Sequence, residues 1–473
     1  MKVLATLSLS IFLISCAAQT TSEAPLSPLK ITENLKPYVS VFSPNILLDN
    51  ALVFVGDGKT PLPNYSVLIS DERIAKIGPV GTITAPKGTT VIDLDGHTIM
   101  PGIVGLHNHI HMPGVRLMKY TAPRLYLAAG VTTVQTTGSA DASGEIELAR
   151  LIDTGDVPGP TLFPTAPYIT GPGGNAVMDS PLTETEARSF VRTWAENGAT
   201  WFKLYRHTDP DIAKVIIDEA HSLNLKVTGH LCSITFREAA IMGIDSIEHD
   251  FDAATDFVKD KPVGKCVRSR GSKVNLDMNG QEIADLIQTL VEENVTLTST
   301  LAILESGFAF RPQADARALS AMSPESLERY KARQLRLIES PSLTSTPDYW
   351  SRIVKFERQF FAEGGHLVAG PDTGRHVLPG FGDQRNFELF VESGYSVSQA
   401  IQIMTHNGAK TLGVGEDIGL IKKGYQADLI IIPGDLTLDP SALKSTSIVF
   451  KKGVGFDPQK LLTDVKGKVG LPE

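Results

Sequence analysis

The sequence lacks the features of several large protein classes. Its 44 Lys and Arg residues are outnumbered by 53 Asp and Glu, and no basic run offsets the net charge of −9, which argues against binding to a nucleic-acid backbone. After the N-terminus no segment approaches the roughly 20 apolar residues of a membrane helix. There is no glycine-rich phosphate loop, internal repeat or low-complexity tract. A chain of 473 residues, 42% of them hydrophobic, instead suits one large α/β domain with a smaller second one.

Cysteine is also scarce, and the first of the three cysteines, Cys16, follows an apolar stretch at the N-terminus. Met1-Lys2 and the run from Val3 to Ile14 have the charge and apolar character of an export signal, and the run is too short to span a bilayer. The four residues ending at Cys16, Leu-Ile-Ser-Cys, resemble the lipobox of bacterial lipoproteins. We therefore expect residues 1–15 to be a lipoprotein signal peptide and Cys16 to be lipidated. An ordinary secretory signal cut after Ala18 is the alternative.

Export has consequences for the rest of the chain. Residues 16–40, which contain Gln, Thr, Ser and Pro, are expected to be a tether. The expected location is the bacterial periplasm, with membrane contact only through the lipid, and Ala17 is similar to a sorting signal for the outer membrane. In that oxidising compartment a disulfide between Cys232 and Cys266 is permitted, and two free thiols are the alternative.

Short β-strands separated by tight turns are predicted near both ends of the chain. The strand-like runs are 51–55, 65–70, 91–94, 427–432 and 447–450. We therefore predict a discontinuous small β-sandwich domain built from residues 41–97 and 412–473.

The middle of the chain, residues 98–411, alternates strands with amphipathic helices. Eight apolar runs are predicted to be strands: 99–106, 131–137, 161–166, 200–205, 225–230, 245–249, 295–301 and 366–371. Among the helices, one from Thr183 to Gly198 begins with a capping box that includes Glu186 and stops at the glycine. This alternation predicts an α/β fold with a parallel sheet, and closure into a (β/α)8 TIM-like barrel is the economical arrangement. An open doubly wound sheet is the alternative.

Residues with metal-ligand chemistry lie at or just past the ends of these strands. They are His107, His109, Lys203, His230, His249 and Asp372. Active-site groups of a barrel lie at the C-terminal ends of its strands, so one barrel end would collect all six. Imidazole nitrogens and carboxylate oxygens are ligands of zinc and related divalent cations. The set predicts a metal-dependent hydrolase rather than a non-catalytic binding lipoprotein, which does not need it.

The spacing of the histidines favours two cations. Side chains two apart on a strand point the same way, so His107 and His109 reach one cation together, although His111 continues the alternation and leaves His109 with His111 as the alternative pair. His230 and His249, at consecutive strand ends, are placed to hold a second cation.

Lys203 lies among aromatic and aliphatic neighbours, where a charged amine is costly. Desolvation favours the free amine, and a free amine can take up CO2 to give a carbamate whose two oxygens bridge two metals. The alternative is a lysine whose stem is buried and whose charged end reaches water.

From about Leu52 to Gly453 the sequence resembles the amidohydrolase superfamily. The motifs that carry the resemblance are Val91-Ile92-Asp93-Leu94-Asp95-Gly96 leading to Met100-Pro101-Gly102 and the His-x-His pair, Ser246-Ile247-Glu248-His249, Thr405-His406-Asn407-Gly408-Ala409 and the run from Gly419 to Leu429. Within the superfamily the chain is similar to binuclear members with a carbamylated lysine, including prolidase-like dipeptidases and imidazolonepropionase-like proteins.

The resemblance implies a role for each of the six residues. His107, His109 and Asp372 would hold one divalent metal ion, His230 and His249 would hold the other, and carbamylated Lys203 would bridge them. Zinc is the metal expected at both positions. Asp372 would also be the catalytic residue, which takes a proton and passes it to the leaving amine.

The implied reaction is hydrolysis of a carboxamide or peptide-like C–N bond, in a dipeptide or N-acyl amino acid, by a metal-bridging hydroxide. Tyr205 and Arg206 follow the bridging lysine and are expected to contact the oxyanion or a substrate carboxylate. The expected partner is a small-molecule substrate, and a homo-oligomer is left open.

Other reactions remain as alternatives. A mononuclear deaminase or imidazolone-type cyclic amidohydrolase usually has a glutamate shortly after the histidine that corresponds to His230, and the residues there are Leu-Cys-Ser. Lactones and phosphotriesters are further substrates open to two-metal sites. Gly105, where many relatives are acidic, and residues 373–388 depart from the family pattern, and substrate choice therefore does not transfer.

Overall fold

The computed structural model describes residues 29–112, 118–311, 314–342, 344–374 and 376–472. Cys16, the predicted signal peptide and part of the predicted tether lie outside these ranges. Within them, no helix combines the length and the apolar character needed to cross a bilayer.

The strands of the described chain fall into three sheets. In chain order they are β1 Val39–Val41, β2 Asn45–Val53, β3 Leu62–Ser70, β4 Arg73–Pro79, β5 Thr90–Asp93, β6 His97–Pro101, β7 Ile103–Asn108, β8 Val131–Thr136, β9 Thr161–Pro164, β10 Trp201–Leu204, β11 Lys226–Gly229, β12 Ser246–Glu248, β13 Thr296–Ser299, β14 Leu367–Ala369, β15 Leu429–Pro433, β16 Ile448–Lys451 and β17 Val454–Phe456.

The two ends of the chain meet in one nine-stranded sheet. Its order is β1-β17-β16-β15-β6-β2-β3-β4, with β5 paired to β2. The strands β6 and β15 join the two ends in antiparallel register, with Ile99 opposite Ile431. Alternate apolar residues such as Ile46, Leu48 and Phe450 are buried together on this sheet. Its packing as a β-sandwich and the limits 41–97 and 412–473 stay predictions.

The eight central strands, β7 to β14, all pair in parallel. They form a three-stranded sheet, β7-β8-β9, and a five-stranded sheet, β10-β11-β12-β13-β14. The predicted parallel α/β class is therefore confirmed. Isolated parallel bridges connect the two sheets, between Thr165 and Trp201 and between Ile169 and Leu204.

Strands β14 and β7 also lie side by side. The backbone N–H of Asp372 donates to the His107 carbonyl at 2.9 Å. A Cβ at Gly370 would lie 2.1 Å from the His107 backbone nitrogen, so a glycine is required for this close approach. Closure of all eight strands into one barrel stays a prediction.

One predicted strand, 99–106, proved to be two. Its first part belongs to β6 of the nine-stranded sheet and its second to β7 of the parallel sheet. At the break, Gly102 donates its N–H to the Asp428 carbonyl at 2.8 Å. A Cβ there would lie 2.2 Å from Thr132 Oγ1, so the glycine lets the chain pass from one sheet to the other.

Helices separate the parallel strands. They are α1 Thr121–Ala128, α2 Ala142–Asp153, α3 Glu184–Glu196, α4 Pro210–Ser222, α5 Phe236–Met242, α6 Asp250–Ala253, α7 Arg270–Lys273, α8 Gln281–Glu292, α9 Leu301–Glu305, α10 Ala316–Ala321, α11 Pro324–Glu339, α12 Pro347–Ala362, α13 Phe381–Glu392, α14 Val397–Gln402, α15 Gly408–Thr411 and α16 Pro458–Val465.

Helix α3 illustrates why these segments are helical. The predicted capping box is present, because the Thr183 side chain accepts from the Glu186 backbone and the Glu186 side chain accepts from the Thr183 backbone. Ala187 and Val191 are buried on the face that packs against the parallel sheet. The amphipathic pattern thus places the helix on the outside of the strands that carry the candidate site.

Candidate active site

Three of the six predicted ligands form a compact group. His109 Nε2 lies 3.0 Å from Asp372 Oδ1, and His107 Nε2 lies 3.5 Å from the same oxygen. One ligand atom from each residue lies within 4.8 Å of the others, an arrangement that could hold a metal ion. The group occupies the C-terminal ends of β7 and β14, where the sequence predicted it.

The structure decides between the two histidine pairs that the sequence left open. His111 is fully buried, and both its backbone N–H and its Nδ1 lie against Glu145 Oε1, at 3.0 and 3.1 Å. It therefore does not join the group that contains Asp372, and the favoured pair is His107 and His109.

The other three predicted ligands line the same cavity of about 810 Å3. The His249 ring centroid is 4.6 Å from that of His107 and 4.3 Å from that of His230. His249 Nδ1 lies 4.0 Å from Asp372 Oδ2. The structure thus gathers all six residues at one cavity, although His230, His249 and Lys203 stand outside the compact group.

Lys203 is buried on β10 with an amine that has no hydrogen-bond partner. Only 1% of the residue is exposed, and within the described chain its Nζ makes no hydrogen bond. The nearest carboxylate oxygen in an ion pair, Glu248 Oε1, is 4.0 Å away. Burial lowers the pKa of Lys203 to about 8, against the opposing effect of Glu248 and Asp372. A polar atom buried without a partner is costly, so this amine fits a site that is completed by another group.

Three of the imidazoles are oriented by a polar partner at Nδ1. His107 Nδ1 lies 2.5 Å from Glu248 Oε2, and His249 Nδ1 lies 3.0 Å from Thr300 Oγ1. His109 Nδ1 lies 3.3 Å from the Tyr168 hydroxyl oxygen. When each Nδ1 carries the proton and donates to its partner, each Nε2 has a free lone pair for a cation.

The electrostatics of the cavity favour neutral imidazoles. Burial, with the nearby charges of Lys203 and Arg206, lowers the pKa of His230 to about 3. Burial likewise lowers the pKa values of His107 and His249. Neutral imidazole is the form that ligates metals.

Asp372 stays ionised for a different reason. Burial alone would raise the pKa of its carboxyl, but the close approach of the His107 and His109 imidazoles holds that pKa well below its usual range. Asp372 and His249 both have positive φ, at 51° and 67°, a backbone region that few non-glycine residues adopt and that is frequent at functional sites.

The two residues predicted to contact substrate, Tyr205 and Arg206, also line the cavity. The Tyr205 ring packs against His230, with ring centroids 4.9 Å apart. Arg206 Nη2 lies 3.7 Å from Cys266 Sγ. Cys266 is joined to Cys232, so the disulfide that the sequence only permitted is present in the structure.

Sequence reasoning gave no role to several residues of this site. Glu248 belongs to the motif Ser246-Ile247-Glu248-His249. Its position one residue before a candidate ligand was the sequence feature that could have indicated a role at the site. Tyr168 and Thr300 carried none, because they reach His109 and His249 only through the tertiary fold. Arg268, which also lines the cavity, lies in a segment without a recognisable pattern.

Comparisons with known proteins indicate amidohydrolases as relatives. A family model described as the amidohydrolase family matches residues 384–468. The chain is 32% identical over 94 residues to an imidazolonepropionase of Micrococcus luteus, covering 19% of this chain and 22% of that protein. The resemblance to amidohydrolases is confirmed. Matches to curated dihydroorotases, such as that of Mycobacterium tuberculosis (46% identical over 48 residues, 10% of this chain), span only 11% to 34% of those proteins.

Solved amidohydrolase structures share the fold over most of the chain. A protein from Bifidobacterium longum described as a prolidase aligns with a TM-score of 0.65 and 22% identity, covering 89% of this chain and 98% of that one. A Xaa-Pro dipeptidase with bound methionine aligns with a TM-score of 0.63 and 19% identity, covering 87% and 100%. At such identities the likeness establishes the fold alone.

Proposed function

We propose that this protein is a metal-dependent hydrolase that cleaves a carboxamide or peptide-like C–N bond in a dipeptide or N-acyl amino acid. The observation that carries the proposal is the convergence of His107, His109 and Asp372 at the ends of parallel strands. The amidohydrolase resemblance supports the same reaction class.

The residues present fit a pair of divalent cations. Nitrogen and carboxylate donors suit zinc, and the Lys203 amine, which has no hydrogen-bond partner among the described residues, fits a carbamate that would supply further oxygen ligands. His107, His109 and Asp372 would hold one ion and His230 and His249 the other. When bound, such ions supply Lewis acidity toward a carbonyl oxygen and activate water. Continuity of the eight strands into one barrel is part of this proposal, because it would hold all ligand-bearing strand ends around one centre.

The proposed proton carrier is Asp372. Its carboxylate is ionised and 17% of its side chain is exposed to the cavity, so it can accept a proton from the attacking water and deliver it to the leaving nitrogen. Tyr205 and Arg206, at the cavity wall, would bind the oxyanion or a substrate carboxylate. Glu248, Thr300 and Tyr168 keep the imidazoles in the orientation that this arrangement requires.

The location and assembly of the protein are further parts of the proposal. Lipidation at Cys16, an outer-membrane anchor and a periplasmic catalytic domain follow from the N-terminal sequence. Labelling with a radioactive fatty acid in cells, with Cys16→Ser as the control, tests the anchor. Sedimentation of the chain without residues 1–28 tests whether it forms a homo-oligomer.

The central experiment combines metal analysis with turnover. The protein would be screened on dipeptides, N-acyl amino acids and a lactone, before and after chelation and zinc reconstitution. We expect two ions per chain and C–N hydrolysis that chelation abolishes and zinc restores. His109→Ala should lose bound metal as well as hydrolytic activity. The control His221→Ala changes a histidine on α4, outside the cavity, and should keep metal and turnover. Full turnover by metal-free protein, or lactone cleavage without any C–N cleavage, would overturn the proposal.

A further inference from the structure

Positive side chains dominate the cavity wall although the chain as a whole is acidic. The charged residues that line the cavity are Lys203, Arg206, Arg268, Arg270, Arg333, Asp252 and Asp372. Apart from Lys203, which belongs to the candidate metal centre, four of these are basic and two are acidic, in a protein of net charge −9. A cavity of opposite sign to the rest of the protein concentrates anions.

The two acidic residues are already occupied. Asp252 Oδ2 accepts a hydrogen bond from Arg270 Nη2 at 2.8 Å and its other oxygen accepts from the Tyr349 hydroxyl at 3.1 Å. Asp372 faces the histidines of the candidate metal centre. Neither acid is therefore free to neutralise the remaining guanidinium groups.

Arg206 and Arg268 are cavity cations for which the described residues provide no acidic partner. The Arg206 guanidinium lies 3.7 Å from Cys266 Sγ and forms no ion pair with a described carboxylate, and no ion pair or hydrogen bond joins the Arg268 side chain to a described residue. Both line the cavity. Guanidinium groups bind carboxylates through paired N–H donors, so two such groups at one wall fit two carboxylate oxygen pairs.

The disulfide ties the loop that carries Arg268 to the segment that follows His230. Cys232 follows His230 by two residues, and Cys266, which it binds, precedes Arg268 by two. Arg206 is at the same disulfide, because its Nη2 lies 3.7 Å from Cys266 Sγ. The anion-binding wall is therefore on the His230 side of the cavity.

We infer that Arg206 and Arg268 form an anion subsite that selects substrates whose leaving amino acid carries a second carboxylate. Leaving groups such as aspartate or glutamate are preferred over neutral ones, and basic ones are rejected by like charge. Arg268 is the specificity-determining residue of this subsite. The inference rests on the proposed C–N hydrolase function and names its substrate class.

Matched substrates test the inference. Alanyl-glutamate, alanyl-glutamine and alanyl-lysine have similar length and differ in the charge of the leaving residue. For the zinc-loaded protein we expect kcat/KM about tenfold higher for the glutamate than for the glutamine substrate, the size of one charge-assisted hydrogen bond. The lysine substrate should be poorer still, and added salt should reduce the difference.

Two variants that change the net charge by the same amount distinguish an effect at the subsite from a general effect of protein charge. Arg268→Glu should abolish or reverse the preference, chiefly through KM, while metal content stays unchanged. Arg329→Glu, an exposed position on α11 that pairs with Glu325 outside the cavity, should keep the preference of the unaltered protein. Thermal unfolding of both variants checks that they fold.

Each outcome has a distinct meaning. Equal or better hydrolysis of the glutamine substrate, or the same effect of Arg268→Glu and Arg329→Glu, would overturn the anion subsite and leave the hydrolase proposal intact. Absence of C–N cleavage for every substrate would overturn the hydrolase proposal. In that case the subsite is still tested by calorimetric binding of free glutamate and glutamine to the metal-loaded protein. The subsite requires that glutamate binds more tightly to the unaltered protein than to Arg268→Glu.

Discussion

Glu248 Oε2 lies 2.5 Å from Nδ1 of His107, and both side chains are almost fully buried. Burial would raise the pKa of Glu248, but the Lys203 amine and the hydrogen bond from His107 lower it to about 2. Glu248 is therefore an ionised acceptor that fixes the imidazole with Nε2 directed at Asp372. It is a positioning residue, since it acts on the candidate metal centre through His107.

Replacement of Glu248 should weaken metal binding without removing a ligand. We expect Glu248→Ala to lower zinc affinity by about 10- to 100-fold, because the imidazole loses the partner that orients it. Glu248→Gln retains an acceptor oxygen and should lose less. Competition with a chromophoric chelator measures the affinity, and unchanged affinity in Glu248→Ala would show that His107 is oriented by other contacts.

Asp383 makes stability depend on pH. This carboxyl is 1% exposed, and burial raises its pKa to about 7 despite hydrogen bonds from Asn108 and the Gly380 backbone. Between about pH 4 and 7 the folded protein keeps a proton that the unfolded chain has lost. The free energy of unfolding should therefore fall as the pH rises through this window.

Asp383→Asn should remove that component of the pH dependence. The amide does not titrate, so the stability of the variant relative to the unaltered protein should be greater at pH 8 than at pH 4, by up to about 4 kcal/mol. Urea unfolding at both pH values measures the difference. Asp218→Asn, at an exposed position on α4, is the control. An equal pH dependence in Asp383→Asn and the unaltered protein would contradict the prediction.

Lys273 stabilises the segment that follows the candidate ligand His249. Its buried Nζ donates to the carbonyl oxygens of Phe251, Asp252 and Ala254 at 2.7 to 2.8 Å. Lys273→Met keeps the apolar stem and leaves these acceptors without a donor, so we expect a loss of about 3 kcal/mol in unfolding free energy. Urea denaturation tests this against Lys214→Met, an exposed control. Equal stability of the two variants would argue against a stabilising role of Lys273.

The sequence was sufficient for the positions of the candidate ligands because two periodic rules determine them. Alternation along β7 directs His107 and His109 to the same side. Parallel pairing then brings the ends of distant strands to one edge, so that Asp372 meets residues more than 260 positions earlier. Neither rule depends on the exact strand ends, which differ from the predictions by a few residues.

The parts that could not be predicted depend on tertiary contacts. Tyr168 and Thr300 have ordinary sequence surroundings, and only the fold brings them to His109 and His249. Gly102 looked like part of one long strand because the apolar pattern continues on both sides of it. The 34-residue separation of Cys232 and Cys266 did not distinguish a disulfide from two thiols.

That disulfide provides a prediction for the cavity itself. It joins the segment just after His230 to the loop that carries Arg268, and it closes a loop of a size for which cross-linking contributes about 4 kcal/mol of stability. We expect the Cys232→Ser, Cys266→Ser double variant to lose stability of this order. KM for the preferred substrate should also rise, because the guanidinium group of Arg268 is no longer held beside the candidate metal centre.

A reducing agent separates this effect from the chemistry of the new serines. Dithiothreitol should raise KM of the unaltered protein toward that of the double variant and leave the double variant unchanged. The metal content of the reduced protein must be measured in parallel, because the thiols of dithiothreitol also bind zinc. If reduction changes thermal stability but not KM, the disulfide stabilises the fold without positioning the cavity wall, and the placement of Arg268 must come from α7 and the contacts of Lys273.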